Sequence, residues 1–420
     1  MPALSPATPV LREAAGCPDL FPADTLFGVS VQNRLTPSPG KELLPMIRKT
    51  PRAVVLLMLV ALDFGTAHAR DAAPEPKAPS TASVDTGVLE GAPYRVDIPA
   101  DWNGELVALL HGFEPIGTPR ATPKPPGDEA PLFLAAGYAV AQSSYASQGW
   151  AVDDALRDNE RLRAWFVRRH GKPGRAYLVG FSMGGYVALA SLERYGAHYD
   201  GALSLCGANV PGTRVFDDVL TSLVAFDYFF PHAAGLPQGG IADPAGPELG
   251  QTDVMRAVDA ALKTNEDAAR LLAEHAQVSR GRLAGAIGVH YLVLHQMIAR
   301  AKGMPVDNRA TAYAGFGDDA AFNRGVRRYA GDPQAMLYLA KATSLSGEIR
   351  KPLVLQYNRD DFLIPARYQP VYPAMVLSAH GRAPLVLPPA GEGHCGFAPE
   401  QIMQAFRTLT RMDRGGPSSH

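Results

Sequence analysis

The sequence has few cysteines, few tryptophans and no excess of either charge. Its 420 residues include three cysteines and three tryptophans, and 40 basic side chains stand against 41 acidic ones. No Lys/Arg run is dense enough to form a polyanion-binding face, so nucleic acid is not expected as a partner. No group of His, Cys and Asp residues has the spacing of metal ligands, so neither a metal nor another cofactor is expected.

The sequence also lacks an apolar run near its N-terminus that is long enough to cross a membrane. The apolar stretch at 53–62 is about half the length of a membrane span. It follows a basic segment that starts at Met46, and it precedes Ala67-His68-Ala69, a small-x-small cleavage site. This order predicts an export signal at residues 46–69, with an uncleaved anchor as the alternative. We therefore expect a secreted or periplasmic protein that has no stable membrane anchor after cleavage.

Residues 1–45 are rich in proline, show no apolar period and precede the predicted signal. An export signal is read at the N-terminus, so we predict that translation starts at Met46 and that residues 1–45 are a non-native extension. Residues 70–86 are rich in Ala, Pro, Ser and Thr, which predicts a flexible leader.

Strand-length apolar runs alternate with helical patterns at residues 87–210 and again at 351–413. The runs at 105–110 and 138–144 are typical of buried strands, and 153–170 is an amphipathic helical pattern. This alternation predicts an α/β core with a mostly parallel, doubly wound sheet.

Between residues 211 and 350 the alternation stops, and helical patterns at 252–277 and 282–302 follow a Pro/Gly-rich stretch. We interpret this block as a helical cap inserted into the core. Its first part contains Phe226 and Tyr228, which are candidates for lining an acyl pocket; packing inside the cap is the alternative.

The sequence Gly180-Phe181-Ser182-Met183-Gly184 matches G-x-S-x-G, a pattern that is common by chance. Here it directly follows an apolar run of strand length and directly precedes an apolar helical pattern. That context is typical of a nucleophile elbow, a sharp turn that exposes a serine at the end of a sheet. Ser182 is therefore the candidate nucleophile.

A serine hydroxyl is a weak nucleophile, so it needs a general base and a group that orients the base. His394 lies in a glycine-rich loop after the last predicted strand, where its ring can reach the sheet edge. Asp360 and Asp361 both follow the run at 353–357, and either is a candidate for the orienting acid.

Together these segments resemble the α/β-hydrolase superfamily, in the chain order Ser, Asp, His. The resemblance covers roughly residues 94–411 without the cap, and it is carried by four motifs: Gly180–Gly184, His111-Gly112-Phe113, Asp361–Pro365 and Gly393-His394. It implies that Asp361, four residues before the proline of its turn, is the acid. It also implies that the backbone amides of Met183 and Phe113 form an oxyanion hole.

If Cys17 is absent from the mature chain, only Cys206 and Cys395 remain, and an oxidising compartment permits them to pair. In this fold the strand that ends at Cys206 lies beside the nucleophile strand. A disulfide that holds the His394 loop is thus one prediction, and two buried free thiols are the other.

The resemblance implies a serine hydrolase that cleaves small-molecule or oligomeric carboxylic esters through an acyl-enzyme. The alternatives are a secreted exopeptidase of the same fold, acyl transfer to an alcohol, and an inactive binding module. Residues 119–127, rich in proline and charge, are predicted to form a surface loop near the site entrance.

Overall fold

A computed structural model describes residues 81–380 and 383–415 of the chain. The predicted extension at 1–45, the export signal at 46–69 and the leader up to residue 80 lie outside the described residues. The leader prediction is wrong for residues 81–86, because a strand begins at Thr81 and pairs along its length with the next strand. This strand lies at the sheet edge and is mostly exposed, so it needs few apolar residues to form.

Eight strands form one sheet in the order β1-β2-β4-β3-β5-β6-β7-β8. Pairing is antiparallel between β1 and β2 and between β2 and β4, and it is parallel from β4 to β8. The predicted mostly parallel sheet is therefore confirmed. The strands are β1 (Thr81–Leu89), β2 (Ala92–Pro99), β3 (Leu106–Leu110), β4 (Ala139–Ser143), β5 (Ala176–Phe181), β6 (Gly201–Leu205), β7 (Leu353–Gln356) and β8 (Leu385–Val386).

The central strands are apolar on both faces because helices cover both faces. Side chains of a strand alternate between faces, and β3 shows this with Leu106, Ala108 and Leu110 in one apolar cluster and Val107 and Leu109 in the other. The first cluster includes residues of α2 (Val152–His170), α3 (Met183–Tyr195) and α10 (Val371–His380). The second includes residues of α1 (Ala130–Ala135) and α11 (Pro399–Asp413). This arrangement is the doubly wound architecture that the alternating pattern predicts.

Six α-helices lie in the chain between β6 and β7. They are α4 (Gly212–Phe229), α5 (Gln251–Leu262), α6 (Glu266–Ala276), α7 (Leu283–Ala301), α8 (Asp319–Gly325) and α9 (Pro333–Ala342). The single helix expected over 252–277 is wrong, because Asn265 caps a new helix there by accepting a hydrogen bond from the Ala268 amide at 3.1 Å. Across residues 81–380 and 383–415, no helix combines the length and apolar character needed to span a membrane.

The turn between β5 and α3 brings backbone segments into close contact. A Cβ atom at Gly180 would lie 2.0 Å from the Gly184 carbonyl oxygen, and one at Gly184 would lie 2.1 Å from the Leu110 carbonyl oxygen. Both distances are far inside van der Waals contact, and rigid backbone atoms cannot rotate away as side chains can. Only glycine therefore fits at either position.

We expect Gly184→Ala to lower the free energy of unfolding by about 3 kcal/mol, because the new methyl group forces β3 and α3 apart. The matched control is Gly196→Ala, since Gly196 has φ of −56° and no atom within 4 Å of a built Cβ. Thermal denaturation followed by circular dichroism measures both variants. Equal melting temperatures for the two variants would contradict the close contact between Gly184 and the Leu110 carbonyl oxygen.

Candidate active site

Ser182 occupies the turn between β5 and α3 with an unusual backbone conformation. Its φ of 54° and ψ of −123° lie outside the regions that non-glycine residues favour. Its amide donates to the Leu205 carbonyl at 3.1 Å, which ties the turn to β6. Its hydroxyl oxygen lies 2.9 Å from Nε2 of His394. The turn thus presents the serine hydroxyl at the carboxyl end of the sheet.

His394 bridges Ser182 and Asp361. Its Nδ1 lies 3.0 Å from each carboxylate oxygen of Asp361, and the His394 and Asp361 side chains are only 6% and 3% exposed. An ionised carboxylate accepts hydrogen bonds only, so Nδ1 carries the proton in this contact. In the neutral ring Nε2 is then unprotonated, and it can accept the proton of the Ser182 hydroxyl.

Asp361, rather than Asp360, contacts the histidine. Oδ1 of Asp361 also accepts hydrogen bonds from the amides of Leu363 at 2.9 Å and Ile364 at 3.1 Å. Asp360 is exposed, has φ of 46°, and its carboxylate lies near the Ser279 hydroxyl instead. The turn after β7 therefore directs one carboxylate inward and the other toward solvent.

A disulfide joins Cys206, just after β6, to Cys395, the residue after His394. Their Cα atoms are 5.3 Å apart, although 189 positions separate them in sequence. The Cys395 amide also donates to Oδ1 of Asn358 at 3.0 Å. Of the two states that the sequence left open, the structure has the disulfide, which links the His394 loop covalently to the strand beside β5.

The resemblance assigns the amides of Met183 and Phe113 to an oxyanion hole, and this assignment stays a prediction. Met183 is the first residue of α3, so its amide precedes the helical hydrogen-bond ladder. Phe113 follows Gly112, where a Cβ would lie 3.1 Å from the Cβ of Ser182. Within the described residues, neither amide donates to a carbonyl or side chain, so both donors are free for a ligand.

A cavity of about 460 Å³ opens beside Ser182 and His394 and has two chemically different sides. The side under the cap is mostly apolar, although Nε1 of Trp150 is a buried donor without an acceptor among the described residues; it includes Trp150, Val215, Val219, Val289, Val293 and Tyr368. The rest of the lining includes residues of β3, β4 and the segment between them, among them His111, Glu114, Lys124, Glu129 and Gln142. We call these the apolar lobe and the polar lobe.

Phe226 and Tyr228, predicted as possible pocket residues, do not line this cavity. Phe226 is fully buried and stacks on Phe230 at 5.2 Å, while the Tyr228 ring packs on Phe322 at 4.7 Å. Both face the interior of the cap, which was the alternative interpretation.

His290 of α7 also lines the cavity. Its Nδ1 lies 2.6 Å from the Ser222 hydroxyl of α4, which links two cap helices. Burial lowers the pKa of His290 to about 4, so the ring is neutral at neutral pH.

Sequence reasoning missed the polar lobe. Gln142 has a detectable signal, since it is a polar residue inside an apolar strand run. Lys124 and Gly127 belong to the loop predicted near the entrance, and both line the cavity, but nothing in the sequence indicates which loop residues point inward. Among the described residues, no group of three or more His, Cys, Asp or Glu side chains could hold a metal ion.

Neither a protein-family model nor a curated protein matches this sequence. Among solved structures, the chain is similar to an acylaminoacyl peptidase in complex with Z-Gly-Gly-Phe-chloromethyl ketone, with 13% identity and a TM-score of 0.42, over 81% of this chain and 43% of that one. It is similar to feruloyl esterase B from Aspergillus oryzae with 11% identity and a TM-score of 0.45, over 79% of this chain and 80% of that one. An esterase from Pyrococcus furiosus has 13% identity and a TM-score of 0.37, over 79% of this chain and 88% of that one. This chain thus spans less than half of the peptidase chain's length.

The fold itself is identified by the sheet. The topology has four parts: the strand order, the antiparallel pairing of β2 with β4, the parallel strands from β4 to β8, and the serine turn between β5 and α3. By that topology, the chain has the fold of the α/β-hydrolase superfamily.

Proposed function

We propose that this protein is a serine hydrolase that cleaves carboxylic esters through an acyl-enzyme. The observation that carries the proposal is the His394 ring, which lies within hydrogen-bond distance of Ser182 on one side and Asp361 on the other. This is the arrangement that activates a serine hydroxyl on several unrelated folds.

In the proposed first step, the Ser182 oxygen attacks the substrate carbonyl carbon while Nε2 of His394 takes the hydroxyl proton. Asp361 stabilises the resulting imidazolium through the Nδ1–H bond. The negative charge that develops on the carbonyl oxygen is bound by the amides of Met183 and Phe113. Each such donor typically contributes about a hundredfold to a thousandfold in rate.

Collapse of the tetrahedral intermediate breaks the ester C–O bond, and the leaving alkoxide takes the proton from His394. Water then attacks the acyl-enzyme, with His394 again acting first as base and then as acid. Ser182 is regenerated, and the products are a carboxylic acid and an alcohol.

A second candidate is an exopeptidase that acts at a free N-terminus, which would bind the substrate ammonium group through a carboxylate. Glu114 is paired with Arg120 through a 2.8 Å contact, whereas the exposed Asp128 also lines the cavity and forms no ion pair among the described residues. Acyl transfer to an alcohol requires only that an alcohol replace water in the second step.

We also propose that the protein is exported to an oxidising compartment. The predicted signal at 46–69 lies outside the described residues, so the support within them is the Cys206–Cys395 disulfide. Disulfides persist in oxidising compartments such as the periplasm or the extracellular space.

The purified protein should hydrolyse p-nitrophenyl esters of graded chain length, and it should leave aminoacyl-nitroanilides intact. Ser182→Ala should lower kcat by about 10⁶-fold, since an acyl-enzyme can no longer form. Release of p-nitrophenol and p-nitroaniline is followed by absorbance, with circular dichroism to verify folding. Turnover of anilides without turnover of esters would favour the peptidase, and full activity of folded Ser182→Ala would refute both.

Asp361→Asn should lower kcat by about 10⁴-fold, because the amide no longer holds the His394 tautomer that accepts the serine proton. The matched control is Asp360→Asn, the same change on the neighbouring exposed residue, where asparagine tolerates the positive φ. Steady-state kinetics on one ester compares the two variants. A large loss in Asp360→Asn with little loss in Asp361→Asn would show that Asp360, and not Asp361, is the acid.

A further inference from the structure

Gln142 lines the cavity beside Ser182 and carries a buried donor group. It lies on β4, is 4% exposed, and its Oε1 accepts a hydrogen bond from the Gly127 amide at 2.7 Å. That bond fixes the orientation of the side-chain amide, because an amide nitrogen cannot accept from a backbone N–H. The Nε2 group is thus the free end, and it is buried without an acceptor among the described residues.

His111 presents the complementary group, a buried acceptor. Its Nδ1 lies 2.8 Å from the Gly112 carbonyl oxygen, so Nδ1 must carry the proton. Burial, followed by the charge of Lys124, lowers the pKa of His111 to about 4. At neutral pH Nε2 is therefore an unprotonated acceptor, and it is buried with no donor among the described residues.

The two side chains belong to one site. They lie on or directly after neighbouring strands, since Ala108 of β3 pairs with Ala141 of β4, and both line the cavity that contains Ser182. His111 is also held rigidly, because its ring stacks on Tyr145 with centroids 4.0 Å apart. A ligand in the polar lobe thus meets a fixed donor and a fixed acceptor.

Leaving both groups unpaired costs free energy, because a buried polar group that loses water without gaining a partner retains its desolvation penalty. Most buried polar atoms in folded proteins have a protein or water partner, so the unpaired Nε2 atoms of His111 and Gln142 mark a place for a polar ligand group or a water molecule. We propose that the polar lobe binds a hydroxyl group of the substrate, which donates to Nε2 of His111 and accepts from Nε2 of Gln142.

A hydroxyl group satisfies both atoms with one oxygen atom. A carboxylate has no proton for His111, and an ammonium group has no lone pair for Gln142. Lys124 lines the same lobe and forms no ion pair with a carboxylate among the described residues, while Glu114 is held by Arg120. Lys124 therefore supplies a further donor for a neighbouring oxygen atom of the same group.

The apolar lobe defines the other half of the substrate. Val215, Val219 and Val293 offer no hydrogen-bonding side chains, so they suit a hydrocarbon group, and Nε1 of Trp150 is the buried donor that this group would leave unpaired. Ser182 and His394 line the same cavity. The inference therefore rests on the proposed function in one respect, namely that the hydroxyl group enters the polar lobe as part of an ester. The substrate class is thus an ester with one hydroxylated half and one apolar half.

Two ligand pairs test the site by binding, without turnover. Hexyl 3-hydroxybenzoate is compared with hexyl benzoate, and 3-hydroxybenzyl hexanoate with benzyl hexanoate, so that the hydroxyl lies in the acid half or in the alcohol half. Isothermal titration calorimetry on Ser182→Ala gives the dissociation constants. In at least one pair the hydroxylated ester should bind about tenfold more tightly, the effect of one or two net hydrogen bonds.

The same titrations on Ser182→Ala/Gln142→Glu should lose that preference. Glutamate keeps an oxygen for the Gly127 amide but presents a second oxygen where the free NH₂ group was. Ser182→Ala/Gln404→Glu is the matched control, since it makes the same change on an exposed position of α11, and it should keep the preference.

Equal affinities within both pairs would overturn the inference and indicate that water fills the lobe. An unchanged preference in the Gln142→Glu background would overturn it as well. Turnover of the same esters by the wild-type protein separates the two proposals. Cleavage without preference in binding refutes the hydroxyl site alone, whereas preference in binding without any cleavage refutes the hydrolase and leaves the hydroxyl site standing.

Discussion

The backbone of Ser182 is the constraint on which the site depends. A non-glycine residue at φ of 54° and ψ of −123° costs on the order of 1–3 kcal/mol, and such a conformation persists only when its surroundings enforce it. Here β5 ends and α3 begins within two residues, Gly180 lets β5 lie against α3, and Gly184 lets α3 lie against β3. The strain holds the hydroxyl at the sheet edge before any substrate arrives. In the proposed mechanism this preorganisation removes a reorientation step from the reaction.

The other parts of the site come from distant positions that the parallel sheet brings to one edge. The turn after β7 carries Asp361, and the loop after β8 carries His394. Two amides hold Asp361, and the disulfide from Cys206 anchors the His394 loop to β6, next to the serine strand. Each long loop is therefore restrained close to its functional side chain. The cap then covers one side of the cavity with apolar residues, while the core strands provide the polar side.

Local sequence patterns predicted the parts of the site that are set by residues close together in the chain. The G-x-S-x-G turn between a buried strand and an apolar helix located Ser182, and the loop after the last strand located His394. The choice between Asp360 and Asp361 required the resemblance, because adjacent carboxylates differ only in the direction that the turn gives them. The edge strand β1 was missed because its composition is that of a leader, and its order comes from pairing with β2. Pairing of Cys206 with Cys395, the inward position of Lys124, and the burial of Phe226 in the cap are set by tertiary contacts, which no local pattern encodes.

In the proposed mechanism, His394 and Asp361 make Ser182, rather than any other serine, reactive toward electrophilic carbonyl and phosphoryl centres. A fluorophosphonate probe reacts covalently with such a hydroxyl, and tryptic mass spectrometry locates the adduct. We expect one adduct per chain, on the peptide that contains Ser182, with labelling strongly slowed in a folded His394→Ala variant. An unlabelled Ser182, or equal labelling rates with and without the imidazole, would contradict it.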